Sequence, residues 1–323
     1  MTGRAWNEQQ FRPAAQRQPP EIAHRQLPEI IGLQRQLELA QNADGGWGYQ
    51  SGASETGSSW TEPTALALLA LQAHDVRNSI SQRAYRWLCE QQRSDGGWPP
   101  HPSVPVSTWV TSLATLALSG NDDATTHLYA RSIEWLVRQI QPEASQLERF
   151  IVRLRGGLAP LQKGGSPWFP GTAAWVGPSA MSILALSQAA TRTNDPKLVT
   201  LIQQGHQYLL CHRCEDGGWN HGGSRYLSQN AASYPETTGL ALLALAAVPA
   251  QELAVPLRVA EQQASAPGSL EALCWLRLAL VRHGHDSDTI PDPPFPCRTT
   301  RDIALRLLSL ATTSSNKLLY AIA

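Results

Sequence analysis

The chain has 323 residues, 42% of them hydrophobic, and its 26 Lys and Arg balance 26 Asp and Glu to a formal net charge of zero. A neutral chain lacks the basic surface that tracks a phosphate backbone, which speaks against nucleic acid as a partner. Cys89, Cys211, Cys214, Cys274 and Cys297 are an odd number in a long chain, so a reducing, cytoplasmic setting is expected rather than a disulfide framework.

Residues 1–20 are polar and rich in Gln, Arg and Pro, which predicts a flexible N-terminal arm ahead of a single domain over 21–323. An amphipathic stretch at 29–41 then leads to Asp44-Gly45-Gly46-Trp47, and an apolar run from Thr61-Glu62-Pro63 to Leu71 follows. The order returns as 81–92, Asp95-Gly96-Gly97-Trp98 and a shorter apolar run at 110–118. Two amphipathic stretches, 130–140 and 145–155, precede a degraded copy, Gly164-Gly165-Ser166-Pro167-Trp168, which is followed by an apolar run from Trp175 to Leu186. The stretch 198–211 precedes Asp216-Gly217-Gly218-Trp219 and the run from Pro235 to Leu245. Apolar runs at 269–280 and 299–310 lack the motif, and the Pro-, Asp- and Gly-rich residues 283–297 between them read as a loop that leaves the last hairpin incomplete.

The first helix of each unit carries its charge on one face. The second is apolar nearly all round, with alanines that allow close helix approach, so it must be buried and the first must cover it. Inner helices are therefore predicted near 62–74, 107–119, 173–188, 235–247, 269–282 and 298–311. The motif glycines permit a left-handed turn, the aspartate can bond nearby amides, and Trp47, Trp98 and Trp219 should pack in equivalent structural places. Pro63 and Pro235, with Thr or Ser before them, mark helix starts.

Outer helix, Gln, Asp-Gly-Gly-Trp, loop, then Thr-Ala-x-x-Leu-Leu-Ala-Leu resembles the repeat of squalene–hopene cyclases and protein prenyltransferase β subunits, over roughly residues 29–245. The resemblance implies an all-α fold, an (α/α)6 toroid of helical hairpins with an inner ring inside an outer one. In cyclases of this kind an Asp-x-Asp-Asp motif precedes the inner helix and its middle aspartate protonates the substrate. That position falls on Glu62, with Trp60 and Pro63 in place of the neighbouring acids. The same phase gives Trp109, Gly177, Glu236, Glu271 and Arg301 in the other repeats.

The resemblance thus implies an enzyme that protonates an isoprenoid alkene or epoxide and guides a carbocation. Glu62 and Glu236 are its candidate acids, and Trp60, Trp109, Trp175, Tyr234, Glu271 and Arg301 its candidate substrate-binding residues. A glutamate in the first helical turn also favours the macrodipole, so capping is the alternative role for Glu62 and Glu236. The expected partner is an isoprenoid or other apolar small molecule. A protein partner, a homodimer or peripheral contact with a membrane stays open. A prenyltransferase and a non-catalytic toroid that binds lipid or protein are the alternative functions.

No cofactor is expected. Cys297, Asp302, Asp286, Asp288, His283 and His285 are suitable zinc ligands by type but not by spacing. Cys211-His212-Arg213-Cys214 has no second pair, and helix phase puts Cys211 in the core.

Overall fold

The computed structural model describes residues 22–50, 58–119, 126–140, 164–222, 225–226 and 229–311. The expected arm at 1–20 and the amphipathic stretch at 145–155 lie outside the described residues. Apolar runs with small residues form helices buried on every side: α2 (Thr61–Ala73), α4 (Val110–Leu118), α6 (Val176–Thr193), α8 (Pro235–Ala244), α10 (Leu270–Arg282) and α11 (Thr300–Leu310). Amphipathic runs form α1 (Ile22–Ala40), α3 (Ser79–Gln91), α5 (Thr126–Gln139), α7 (Pro196–Cys211) and α9 (Ala254–Ser265). In α3 the buried positions Ile80, Ala84, Trp87 and Leu88 make one stripe at helical spacing, and the rest of the helix meets solvent.

The inner helices close a ring. α2 packs on α4, α4 on α6, α6 on α8, α8 on α10, α10 on α11, and α11 back on α2. The outer helices lie over the joints: α3 against α2 and α4, α5 against α4 and α6, α7 against α6, α9 against α8 and α10, α1 against α11. This is the (α/α)6 toroid, with one outer position filled differently. Between α10 and α11 stands a loop holding a 3-10 turn, Ser287–Thr289. Its buried Ile290 accepts from Arg277 through the backbone carbonyl at 3.2 Å. Arg306 on α11, itself buried, bonds Glu29 of α1 at 2.6 and 2.9 Å and Asp292 of the loop at 3.1 Å. The loop and the first outer helix are thereby fixed to the last inner one.

The Asp-Gly-Gly-Trp turns are built alike. The first glycine is left-handed, at φ +96° in Gly45, and the degraded copy keeps this at Gly164 with φ +102°. A Cβ on the second glycine, Gly46, would stand 2.5 Å from Ser59. Trp47, Trp98 and Trp219 are fully buried, and their indole N–H groups donate to the carbonyls of Leu37, Leu88 and Leu209 at 2.7–2.8 Å. The motif aspartates bond the second glycine amide, and Asp44 and Asp95 also accept from Trp87 and Trp135 on the next outer helix.

One expectation is corrected. Cys211 is exposed and Cys214 is the buried cysteine. The helix ends at Cys211, and Cys214 takes the place that Asn42 and Arg93 hold in their repeats, donating its amide to the second glycine carbonyl across the turn. The expected helix starts at Thr61-Glu62-Pro63 and Ser233-Tyr234-Pro235 hold, with α2 opening at Thr61 and α8 at Pro235. The residues flanking α2, α6 and α8 are Trp60, Trp175 and Tyr234, and none caps through its side chain.

Candidate active site

Aromatic residues at helix starts leave backbone donors to be satisfied elsewhere. Here the neighbouring repeat supplies the acceptors. Thr61 donates its amide to Pro100, Trp109 to Trp168, Val176 to His221 and Thr300 to Tyr49, all at 3.0–3.2 Å. Each acceptor lies just past a motif turn. These bonds make neighbouring inner helices parallel, so their N-terminal ends share one face of the ring. With capping done by backbone, the side chains of Trp60 and Trp175 need not cap.

A second set of bonds fixes the phase of the inner helices. The amides of Trp47, Trp98, Ser166 and Trp219 donate to the hydroxyls of Thr64, Thr111, Ser179 and Thr238 at 2.8–3.1 Å. Two residues before those hydroxyls stand Glu62, Trp109, Gly177 and Glu236. Glu271 and Arg301 complete the six positions from α10 and α11. Glu62 and Glu236 sit on helices three steps apart either way round. At a neighbour spacing of about 8–10 Å, opposite axes lie about 16–20 Å apart.

Half of this face is ionic. The Arg301 guanidinium donates through Nε to Glu62 at 2.7 Å and through Nη1 to Glu271 at 2.6 Å, with Nη2 on the other Glu271 oxygen. The second oxygen of Glu62 accepts from the Tyr49 hydroxyl at 2.5 Å. Burial works against the charge of Arg301, but Glu271 and Glu62 more than offset it and hold the guanidinium above the usual arginine range. Burial, then the adjacent Glu62 carboxylate, raises the Tyr49 phenol well above its ordinary value. Glu236 is held differently. It accepts from the Ser269 hydroxyl at 3.1 Å and pairs with no cation among the described residues. Neither Glu62 nor Glu236 accepts from its own first-turn amides among these bonds.

The other half is aromatic. Trp60 lies 5.5 Å from Tyr49 and 4.7 Å from His101, ring centre to ring centre. Trp109 meets Trp168 edge to face at 4.8 Å. Trp168 also covers Gly177, approaching its Cβ position to 3.6 Å, so an indole from the degraded motif occupies the space that a side chain would take. His221 stands between Trp175 at 6.2 Å and Tyr234 at 5.2 Å. Trp175 is 40% exposed and Tyr234 47%, large values for apolar rings. Tyr49, Trp168, His101 and His221 are the members of this face that sequence reasoning missed. Tyr49, His101 and His221 each follow a motif tryptophan by two or three residues, a spacing visible in the sequence.

Asp302 completes a capping box with Thr299. Among the described residues no three His, Cys, Asp or Glu side chains converge as a metal site would require. A groove of about 640 Å³ lies on the outer ring between α5 and the α6–α7 turn, and shares no residue with the ionic and aromatic face.

The fold is the α/α toroid of type II terpene cyclases. A variant of the cyclase MstE from Scytonema, solved with its substrate geranylgeranyl dihydroxybenzoate, is 18% identical, with 90% of this chain and 80% of that one covered at a TM-score of 0.53. A glycoside hydrolase family 76 mannosidase from Bacteroides thetaiotaomicron is 8% identical, with 92% and 97% covered and a TM-score of 0.60. A protein from Actinoplanes is 16% identical, with 88% and 98% covered and a TM-score of 0.50. No family model and no curated protein sequence matches the chain. No helix among the described residues is long and apolar enough to cross a membrane.

Proposed function

We propose that this toroid is a terpene cyclase-like isomerase, which takes up an isoprenoid at the N-terminal face of its ring and protonates it from Glu236. The supporting observation is the unequal setting of the two opposed carboxyl groups. Both oxygens of Glu62 already accept, from a guanidinium and a phenol, so the side chain has no proton to give while that pair stands. Among the described residues Glu236 has only a hydroxyl partner, and it lies two residues from Tyr234, at the aromatic half of the face. A proton added to one alkene carbon leaves a carbocation, which the faces of Trp60, Trp109, Trp168 and Trp175 can stabilise. Proton loss from another carbon restores the balance, so the product is an isomer of the substrate. Glu62, fixed as an anion, adds electrostatic stabilisation across the ring. The isoprenoid class follows from the resemblance of the repeat.

A second reading is favoured by the same Glu62 pairing. It occupies the place of the family's acid, which suits a toroid that binds an isoprenoid without turning it over. Incubation with squalene, oxidosqualene and geranylgeranyl dihydroxybenzoate, followed by mass spectrometry, separates the two. Cyclised isomers from the native chain that vanish in Glu236→Gln, with ligand binding retained, are the expected result. Product formed equally by Glu236→Gln removes Glu236 as the acid. Binding without any product supports the non-catalytic toroid.

A further inference from the structure

Of the groups that would ordinarily receive a phosphorylated head, the guanidinium at the ring positions and the opening amides of three inner helices are already engaged. A phosphate or diphosphate is held by a guanidinium fork or by the free amides of a helix N-terminus. At the six ring positions Arg301 is the sole cation. Its Nη1 and Nη2 both go to Glu271 and its Nε to Glu62. The amides of Thr61, Val176 and Thr300, which open α2, α6 and α11, are bonded to Pro100, His221 and Tyr49. The carboxylates of Glu62 and Glu271 stand against one guanidinium and leave a net charge of minus one, Glu236 being the acid proposed above. Among the described residues the rest of this face is lined by Trp, Tyr and His rings.

We propose that the ring face admits an isoprenoid with an uncharged head and rejects a phosphorylated one, and that Glu271 determines this choice by occupying the fork of Arg301. The inference rests on the isoprenoid reading above and names the substrate class of that site. It assigns Glu271 a specificity role exerted through Arg301. The bidentate geometry matters here. Glu271 across both Nη atoms takes the end-on pair of N–H bonds, and Glu62 on Nε takes the side-on edge, so no parallel pair is left for an incoming oxyanion. Repulsion from the net negative charge acts in the same direction.

The test compares two ligands with the same twenty-carbon tail, geranylgeraniol and geranylgeranyl diphosphate. Binding to the full chain is followed by tryptophan fluorescence in metal-free buffer, below the micellar range. The alcohol should bind at least about tenfold more tightly. Raising salt from about 50 to about 300 mM should improve diphosphate binding, because screening weakens repulsion. In Glu271→Gln, checked for helicity by circular dichroism, the ratio should move about tenfold toward the diphosphate. A native chain that prefers the diphosphate, or holds it less well as salt rises, overturns the inference while leaving the isoprenoid reading intact. An unchanged ratio in folded Glu271→Gln removes Glu271 from the role. Binding of neither ligand overturns the isoprenoid reading and this inference together.

Discussion

Trp98 is wholly enclosed, its indole N–H donates to Leu88 at 2.8 Å, and its amide donates to the Thr111 hydroxyl at 2.9 Å. One residue thus ties an outer helix to its inner partner. Replacing it by Ala should cost about 3–5 kcal/mol. Phe should cost less, about 1–3 kcal/mol, since it keeps most of the volume but leaves the Leu88 carbonyl unpaired. Denaturant titration of both variants checks the order, and a Phe variant as unstable as the Ala one would remove the hydrogen bond as the distinguishing factor. The role of this tryptophan was legible in the sequence because its partners lie 10 and 13 residues away and the motif recurs. The Arg301–Glu62 pair was not, since 239 residues separate its members. Helix phase put both at one level of the ring, but phase alone does not say which neighbours join. Trp168 was hidden for another reason. The degraded motif moves its indole from the core to the ring face, over a position that happens to be glycine.

Helix boundaries show the same division between local and distant causes. Two outer helices begin on side-chain caps that the sequence displays, Asn78 for α3 and Asp195 with Pro196 for α7. The inner helices α2, α6 and α8 begin on Trp60, Trp175 and Tyr234, which no capping rule would choose, because for α2 and α6 the acceptors come from the next repeat. At the opposite end the last carbonyls are reached by side chains from neighbouring elements. His74 lies 2.9 Å from the Leu307 carbonyl, His206 3.1 Å from Ala244, and His283 2.9 Å from Leu242. Burial lowers the pKa of all three, against the opposing pull of those carbonyls. Each therefore takes a proton less readily when folded than when unfolded. The unfolded chain is protonated first, so their contribution to stability is complete above about pH 6.5 and declines below it. The melting temperature should fall steadily from pH 7.5 to pH 5.5, and substituting Gln at all three sites should flatten that slope. A native profile that is level or rises on acidification contradicts the assignment.

At the scale of the molecule the important joint is α11 on α2. A stack of hairpins has two terminal units, each with one neighbour, and such units fray first. Closing the stack gives every inner helix two inner neighbours and removes the ends. Arg306, Glu29 and Asp292 fasten the same joint from outside. Unfolding in guanidinium should accordingly be a single transition, with tryptophan fluorescence and far-UV circular dichroism superimposing. Two resolved transitions would mean that part of the ring melts independently. The circular order was legible through the resemblance of the repeat, because the apolar runs by themselves require stacking but not closure. The loop at 283–297 was legible as irregular, but its work as a replacement for an outer helix depends on Ile290 and Asp292 meeting residues of the ring and of α11.

The Thr300–Gln50 hydrogen bond joins residues 250 positions apart. During synthesis, at about 5–20 residues per second, the first hairpin waits roughly 10–50 s for the segment that completes it. Throughout that interval one apolar flank of α2 faces solvent or whatever covers it. The nascent chain is thus a client for a holding chaperone by geometry, however stable the finished ring. Ribosome-stalled chains ending before residue 300 should be cleaved by protease across the first hairpin, and released full-length chains should resist.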